Sequence, residues 1–422
     1  MLPIVATCWP SDRLVPTVKS WLLATTAENC RKDISATSSN HLMTTQDYII
    51  ITLCLLVLGV TLLLRGKSIL WRKKFFHDDN SSTEGAETLP RLSIVMAVQD
   101  QGRVLEQHLT RLLSQDYPDE YEVIVVDESS SDDTEDVLKR LKATYPHLYT
   151  TFIPASSHYL SRRKLALTIG VKAAKNDWIL FIDADCYPQN EQWLRSLAQY
   201  CREEVSLILG YAHLQHTNSF LVYENYMQQN YDLCCVSSRF PYGYSGHLLM
   251  IHKDEFIRDN GFLKNLKFLR GEYGFLAHDY AQRGGVRLAL ATESHIIRKQ
   301  PFHRVLRNER MYRMATNSHL SYGLFNATRH LFTSFLPYLN LITYLSVCYL
   351  GWEQQPLWYA IGISCLLIAL CWRMWIGYKS IKCLGENLSP WVLPFFDLFS
   401  FWKMIIDGLR YLFADKNDFV RK

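Results

Sequence analysis

The sequence predicts an α/β domain with a mainly parallel sheet, joined at both ends to apolar membrane helices. Short apolar runs alternate with segments of helical periodicity between residues 91 and 188. Three longer apolar stretches lie outside this region, and basic residues border them. Alternating strands and helices favour right-handed crossovers, and ligands of such sheets bind beyond the carboxyl ends of the strands. The residues that follow each strand are therefore the first candidates for chemistry.

Four short apolar runs predict buried strands, and the intervening stretches have leucines or alanines at helical spacing. The predicted strands are residues 92–98, 121–126, 149–153 and 178–182, and the predicted helices are 104–113, 134–141 and 164–174. We expect residues 91–328 to form the globular domain.

The apolar stretches 48–64, 331–350 and 358–375 are each long enough for a membrane-spanning helix. The first stretch is followed by a flank and linker, residues 65–90, whose basic residues lie within 65–74. Arg329 and Arg373 border the other two stretches. Because positive charge is retained on the cytoplasmic side, both asymmetries predict a cytosolic globular domain on a multi-pass cell (inner) membrane protein.

The two ends of the chain are less regular. Residues 1–47 show no periodicity and are expected to be an extension, with translation starting at either Met1 or Met43. The tail 388–422 is aromatic but interrupted by Pro390, Pro394 and Asp397, which favours an interfacial or re-entrant segment over a fourth span.

Composition narrows the class of protein. The net charge of +4 in 422 residues gives no reason to expect nucleic acid as a partner. The 11 cysteines form no zinc-like cluster and several lie in apolar runs, as in a reduced cytosolic environment. No two histidines stand at a ligand spacing with a third donor, so we do not expect them to bind a metal.

Asp183 and Asp185 directly follow the predicted strand 178–182. Two carboxylates one residue apart at a strand end can converge on Mg²⁺ or Mn²⁺, which in turn holds the phosphates of a substrate. An acidic turn is the alternative, since aspartate is common in turns. Asp127 ends another strand and can accept hydrogen bonds from a nucleoside. The basic stretch 161–164 opens a helix, where cations oppose the dipole unless they meet an anion.

Three stretches, SIVMAVQDQGRVLEQHL, SQDYPDEYEVIVVDESSSDDT and SRRKLALTIGVKAAKNDWILFIDADCYP, together resemble the nucleotide-binding half of family 2 glycosyltransferases. These enzymes invert the anomeric centre and have the GT-A fold, and the chain is similar to their membrane-anchored bacterial branch. The resemblance implies a UDP- or GDP-linked sugar donor with a divalent metal. It also implies that Ala97 packs under the base, Asp127 binds the nucleoside, Lys164 lies near the nucleotide, and Asp183 and Asp185 hold the metal–diphosphate.

The acceptor half departs from the family pattern. Residues 244–250 resemble the acceptor segment, with Leu248 where the family usually has Asn. The family takes its general base from an acidic pair, and the stretch LRGEYGFL keeps one acid, Glu272, with Asp279 in HDYAQ as the alternative. A structural role for Glu272 as a surface acid is the third possibility.

The resulting hypothesis is a membrane-anchored inverting glycosyltransferase that acts on an envelope glycan, lipid or protein acceptor. The stretch Gln300–Arg304 lacks the Trp that processive members have, which favours non-processive transfer. Because one acid and the Asn are missing, a catalytically inactive pseudoenzyme that binds nucleotide-sugar or serves as a scaffold is the alternative.

Overall fold

A computed structural model of the chain describes residues 45–63, 68–70, 89–156, 159–215, 218–238, 240–354 and 356–420. Residues 1–44 of the predicted extension, the start at Met1 or Met43, and most of the basic flank and linker lie outside these residues, whereas residues 45–47 belong to the first helix. All four predicted strands and all three predicted helices of the nucleotide-binding half are present, with ends shifted by at most a few residues.

The main sheet has seven strands in the order β3-β2-β1-β4-β8-β6-β9. These strands are β1 Leu92–Val98, β2 Tyr121–Asp127, β3 Leu148–Phe152, β4 Trp178–Ile182, β6 Leu207–Gly210, β8 Leu248–His252 and β9 Val286–Ala289. Strands β1 to β4 are parallel, as predicted. Strand β8 runs antiparallel to both β4 and β6, so the complete sheet is mixed.

A second sheet of three short strands lies beside the end of β4, in the order β5-β10-β7. Its strands are β5 Cys186–Pro188, β7 Ala212–Leu214 and β10 Ile296–Arg298. Strand β10 is antiparallel to β5, and Arg298 stands opposite Cys186. This pairing brings a residue from the end of the globular domain next to Asp185.

Helices surround the sheets and continue into the apolar ends. They are α1 Thr45–Leu63, α2 Gly102–Leu113, α3 Thr134–Thr144, α4 Arg162–Ala173, α5 Trp193–Ala198, α6 Ser219–Val236, α7 Lys253–Arg258, α8 Glu272–Arg283, α9 His303–Asn317, α10 Gly323–Gln354, α11 Pro356–Cys383 and α12 Leu393–Phe413.

The core lies on both faces of the main sheet. Every residue of β1 and β4 is buried, because helices cover both faces of a parallel sheet. Alternate residues point to opposite faces: Val95 and Ala97 pack with α4, and Ile94 and Met96 pack with α2. Apolar strand interiors therefore leave polar side chains only at the strand ends.

Within the part of the chain that the structure describes, α1, α10 and α11 are long and apolar enough to cross a membrane. They correspond to the three predicted stretches, and α10 and α11 extend beyond the predicted bounds. The three helices pack together around Tyr344 and Cys365. Buried polar contacts join them, from Trp358 Nε1 to Asp47 Oδ1 at 2.6 Å and from Thr61 Oγ1 to Asn340 Oδ1 at 3.0 Å.

Helix α12 forms most of the tail and has an unusual distribution of side chains. Three of its four charged residues, Asp397, Lys403 and Asp407, face the protein, whereas Arg410 is exposed. The opposite face exposes apolar side chains at alternating spacings of four and three residues: Phe395, Phe399, Trp402, Ile406, Leu409 and Phe413.

Candidate active site

Two predicted carboxylates leave the main sheet where β4 ends. Asp183 directly follows Ile182, and Asp185 directly precedes β5. The parallel register brings the end of β2, at Asp127, to the same edge of the sheet. The structure thus brings Asp127 to the same edge as Asp183 and Asp185, which lie more than 50 positions further along the chain.

Asp183 is held by three side chains from different elements. Its Oδ1 accepts a hydrogen bond from Tyr273 Oη at 2.9 Å and pairs with Arg163, and its Oδ2 accepts from His247 Nδ1 at 2.7 Å. Burial alone would raise the pKa of Asp183, but the positive charge of Arg163, the hydrogen bond from His247 and the positive charge of Arg298 outweigh it and hold the pKa well below its ordinary value. Asp183 is therefore a fixed anion.

Asp185 has a different environment, because its main partner comes from β10. Arg298 Nε donates to Asp185 Oδ2 at 2.7 Å, and the same guanidinium donates to His247 Nε2 at 2.9 Å. It also pairs with Glu309 of α9, with Nη2 to Oε1 at 2.5 Å. The backbone N–H of Lys299 donates to the Asp185 carbonyl at 2.9 Å and fixes the two segments together.

His247 links the two aspartates, because it contacts Asp183 directly and Asp185 through Arg298. Since its Nε2 accepts from Arg298, the proton must lie on Nδ1, which donates to Asp183; this tautomer is assigned from the hydrogen-bond network. A carboxylate that holds one imidazole N–H is the usual support for a histidine whose other nitrogen binds a metal. The spacing of the histidines along the chain gives no support to a metal site, yet His247 contacts Asp183 and Arg298, since sequence spacing does not reveal contacts between distant segments.

Ligand atoms of Asp185, Cys186 and His247 lie within 4.8 Å of one another. Burial and the neighbouring aspartates raise the pKa of the Cys186 thiol well above its ordinary value, so the sulfur stays protonated and is a poor ligand for a hard cation. The oxygen of Asp185 and the nitrogen of His247 remain, a donor pair that suits Mn²⁺. The residues present therefore fit a divalent cation.

The first turn of α8 lies near the aspartates, because Tyr273 donates to Asp183 and the charge of Glu272 acts on Arg163. Glu272 is only 6% exposed, and its Oε1 has no hydrogen-bond partner among the described residues. Gly271 precedes it with φ of 93°, and a Cβ there would lie 2.4 Å from Thr316 Oγ1. Glycine is thus required for α8 to begin at this point.

Asp279, the other predicted base, lies seven residues further along α8, about 10 Å at the rise of an α-helix. It lines an open cavity with Asp259, Lys264 and Arg283. Burial raises the pKa of Asp279, and the charges of His278, Lys264 and Arg283 partly oppose this. None of these neighbours contacts Asp183 or Asp185 in the described part of the chain, so Asp279 lies apart from the aspartates, whereas Glu272 interacts with Arg163, the partner of Asp183.

Ala97 and Asp127 occupy neighbouring strand ends. Ala97 is buried near the end of β1, opposite Val126. The carboxylate of Asp127 accepts hydrogen bonds from Ser130, from N–H at 3.0 Å and from Oγ at 2.5 Å. Both residues border the predicted nucleoside position, and their roles there stay predictions.

Lys164 does not point to the strand ends. Its Nζ donates to the carbonyl oxygens of Asn265 and Phe268, both at 2.7 Å, and the side chain is fully buried. Burial lowers the pKa of Lys164 to about 8, although the charge of Glu272 opposes the shift. Contact with a nucleotide stays a prediction, and the observed contacts hold the loop that leads to α8.

Sequence reasoning missed the residues that come from the acceptor half. Leu248, where the family has Asn, is buried against Gly210, and the polar group is its neighbour His247. No local feature of the sequence marks Arg298 or Glu309 as part of the site. Arg298 ends the short strand β10, shortly before α9. Arg163 lies in the basic stretch 161–164, and it contacts Asp183 directly.

Comparison with known proteins agrees with this geometry. Residues 93–259 match the model of glycosyl transferase family 2. This region is a family 2 glycosyltransferase domain. The match ends before α8 and β10, so Glu272 and Arg298 lie beyond the family model.

Two curated relatives support the assignment of the glycosyltransferase domain. The chain is 27% identical over 141 residues to glycosyltransferase AglE of Haloferax volcanii, which is 33% of this chain and 45% of AglE. It is 31% identical over 106 residues to a poly(ribitol-phosphate) beta-glucosyltransferase of Bacillus spizizenii, which is 25% of this chain and 16% of that enzyme. The chain thus spans less than half the length of either relative.

A solved structure supports the fold over a longer region. The mannosyltransferase PcManGT from Pyrobaculum calidifontis, in complex with GDP-Man and Mn²⁺, is similar with a TM-score of 0.50 and 16% sequence identity. The similarity covers 86% of this chain and 98% of that chain. The glycosyltransferase domain therefore has the predicted GT-A fold.

Proposed function

We propose that the chain is a membrane-anchored, inverting glycosyltransferase that moves a sugar from a nucleoside-diphosphate donor to a glycan acceptor. One observation carries the proposal: Tyr273 at the start of α8 donates to Asp183, and the preceding residue, the buried Glu272, interacts electrostatically with Arg163, which pairs with the same aspartate. An acid at this point and a cation site at the strand ends are the two groups that single-displacement transfer requires.

The donor is proposed to be a UDP- or GDP-linked sugar, bound at the edge where β1, β2 and β4 end. Asp127 would accept hydrogen bonds from the nucleoside, and Ala97 would pack under the base. The complex of PcManGT with GDP-Man and Mn²⁺ supports this class of donor.

Asp185 and His247 would hold the divalent cation, with Asp183 orienting the imidazole through the bond to Nδ1. When bound, Mg²⁺ or Mn²⁺ supplies positive charge for the leaving diphosphate. Because Asp183 is saturated by Arg163, His247 and Tyr273, its role is to fix these partners. This refines the prediction in which both aspartates bind the metal.

Glu272 would act as the general base. Its unpaired Oε1 takes the proton of the acceptor hydroxyl as the hydroxyl oxygen bonds to the anomeric carbon. The bond from that carbon to the diphosphate breaks on the opposite side, which inverts the centre. Glu128, whose pKa burial raises against the opposing charges of Arg163 and Arg270, contributes a second acid beside Glu272.

The proposed membrane location rests on α1, α10 and α11 as spanning helices, with the glycosyltransferase domain in the cytosol. The apolar face of α12 would lie in the membrane interface, since its charged face is directed to the protein. An envelope glycan, lipid or protein acceptor and non-processive transfer follow from this location and from the sequence between Gln300 and Arg304.

Donor turnover tests the proposal. Detergent-solubilised full-length protein would be incubated with Mn²⁺ or Mg²⁺, membrane extract as the acceptor source, and a panel of UDP- and GDP-sugars, and the released nucleoside diphosphate measured. We expect metal-dependent release that Asp185→Asn and Glu272→Gln abolish and that the exposed-site control Glu135→Gln leaves unchanged. Metal-dependent donor binding without release from any donor would contradict the enzyme and favour the nucleotide-sugar-binding pseudoenzyme.

A further inference from the structure

The guanidinium of Arg298 contacts both groups that are proposed to hold the metal. Nε donates to Asp185 Oδ2 at 2.7 Å, and Nη1 donates to His247 Nε2 at 2.9 Å. The side chain is only 7% exposed, so this is a buried ion pair and not a surface contact. The positive charge between Asp185 and His247 is therefore the guanidinium of Arg298.

Arg298 and a divalent cation compete for the same electrons. A neutral imidazole with its proton on Nδ1 has a single lone pair, on Nε2, and that lone pair accepts the hydrogen bond from Arg298. A metal bound to His247 needs the same lone pair. Two positive charges on one carboxylate oxygen and one imidazole nitrogen also repel each other in a buried site. The two occupants exclude each other at His247.

The structure also contains a partner for the guanidinium once it leaves the ligands. Glu309 of α9 pairs with it through Nη2 to Oε1 at 2.5 Å and Nη1 to Oε2 at 3.2 Å, a two-point contact that suits arginine. The backbone of Arg298 is fixed by its pairing with Cys186 and by the bond from the Lys299 N–H. Only the side chain has to rotate, from Asp185 and His247 towards Glu309.

We propose that Arg298 is a built-in competitor of the divalent cation: it neutralises Asp185 before metal binds, and for metal to bind it must leave Asp185 and His247 and keep only its pairing with Glu309. This inference rests on the proposed metal-dependent function. It predicts opposite effects for two neighbouring variants. Removing the guanidinium should tighten metal binding, whereas removing the carboxylate of Glu309 should weaken it because the displaced guanidinium loses its partner.

The experiment measures Mn²⁺ binding directly, without nucleotide or turnover. Full-length protein in detergent is titrated with Mn²⁺, and free Mn²⁺ is read by electron paramagnetic resonance. We expect Arg298→Gln to bind Mn²⁺ about tenfold more tightly than wild type and Glu309→Gln to bind about tenfold more weakly, the size typical of groups that support metal ligands. Arg258→Gln, a change at an exposed arginine that pairs with Glu255, is the matched control and should leave binding unchanged.

Thermal unfolding in EDTA establishes that each variant is folded. If Arg298→Gln does not fold, Arg298→Lys replaces it: an ammonium cannot span Asp185, His247 and Glu309 together, so this variant should also bind Mn²⁺ more tightly than wild type. Equal or weaker binding by a folded Arg298 variant would overturn the inference.

Asp185→Asn separates this failure from failure of the proposed function. If Asp185→Asn loses Mn²⁺ while Arg298→Gln binds as wild type does, the metal site stands and only the competition is wrong. If Asp185→Asn binds Mn²⁺ as wild type does, or if neither wild type nor Arg298→Gln binds it, both the proposed metal site and the inference fail.

Discussion

Two groups of buried charges in this protein have similar composition and different positions. The site cluster, Asp183, Asp185, His247 and Arg298, lies where β4 ends. The docking cluster, Glu224, Arg310, Lys403 and Asp407, joins α6, α9 and α12. In the docking cluster, Arg310 pairs with Asp407 at 3.0 Å and with Glu224 at 3.8 Å, and Lys403 pairs with Glu224 at 2.5 Å.

The difference lies in which groups hold the charges. In the site cluster, a neutral histidine and a carboxylate accept hydrogen bonds through the lone pairs that a metal would use. The docking cluster consists of ion pairs between three helices, and it holds the charged face of α12 against the domain. The charges of the site cluster can thus exchange with a ligand at the end of a strand. The charges of the docking cluster attach one helix to two others.

The largest expected effect concerns the base beside the site cluster. Glu272→Gln should lower the rate of sugar transfer by about 10²–10⁴-fold, because it removes proton transfer from the acceptor, while donor binding is retained. Asp279→Asn, on the same helix but outside the cluster, should transfer close to the wild-type rate. Turnover and donor affinity measured for both variants check this; a reversed pattern would identify Asp279 as the base.

Asp185→Asn should lower transfer by about 10²–10³-fold through loss of charge stabilisation for the leaving diphosphate. Its melting temperature in EDTA should stay near that of wild type, because Arg298 keeps its pairing with Glu309. The measurement is transfer rate against Mn²⁺ concentration together with thermal unfolding. A large loss of stability with normal metal-dependent transfer would make the site cluster structural.

The docking cluster should behave in the opposite way. Asp407 is buried, so Asp407→Asn should lower the free energy of unfolding by about 3 kcal/mol, the cost of breaking a buried ion pair. Transfer by the folded protein should change little. As a control, Glu135→Gln in the exposed pair with Lys139 should leave the free energy of unfolding close to the wild-type value. Chemical denaturation in detergent compares the two variants, and equal losses would remove the distinction between the clusters.

The smallest effect is a pH dependence at Lys164. Its pKa is about 8 in the folded protein and 10.5 ordinarily, so between these values the unfolded chain binds a proton that the folded chain has lost. The free energy of unfolding should therefore rise with pH above 8, by about 1.5 kcal/mol up to pH 9.5. The difference between wild type and Lys164→Met isolates this contribution. A difference that is constant with pH would contradict the lowered pKa.

The nucleotide-binding half could be predicted closely because its signals are local. Strand β1 and strand β4 are mostly apolar runs, Asp127 ends β2, and Asp183 and Asp185 lie within three residues of the end of β4. The parallel arrangement of β1 to β4 follows from the alternation of strands and helices. Strand β8, which reverses direction between β4 and β6, has no such signal in its own residues.

The partners of the carboxylates depended on tertiary structure. His247 lies 64 positions after Asp183, and Arg298 lies 113 positions after Asp185. Only the pairing of β8 with β4 and of β10 with β5 brings them to the strand ends. Hydrophobic periodicity reports which face of an element is buried, but it carries no information about which distant polar group will meet it. The sequence alone therefore determined the fold class and the acids at the strand ends, whereas the tertiary structure decided which cation neutralises each acid.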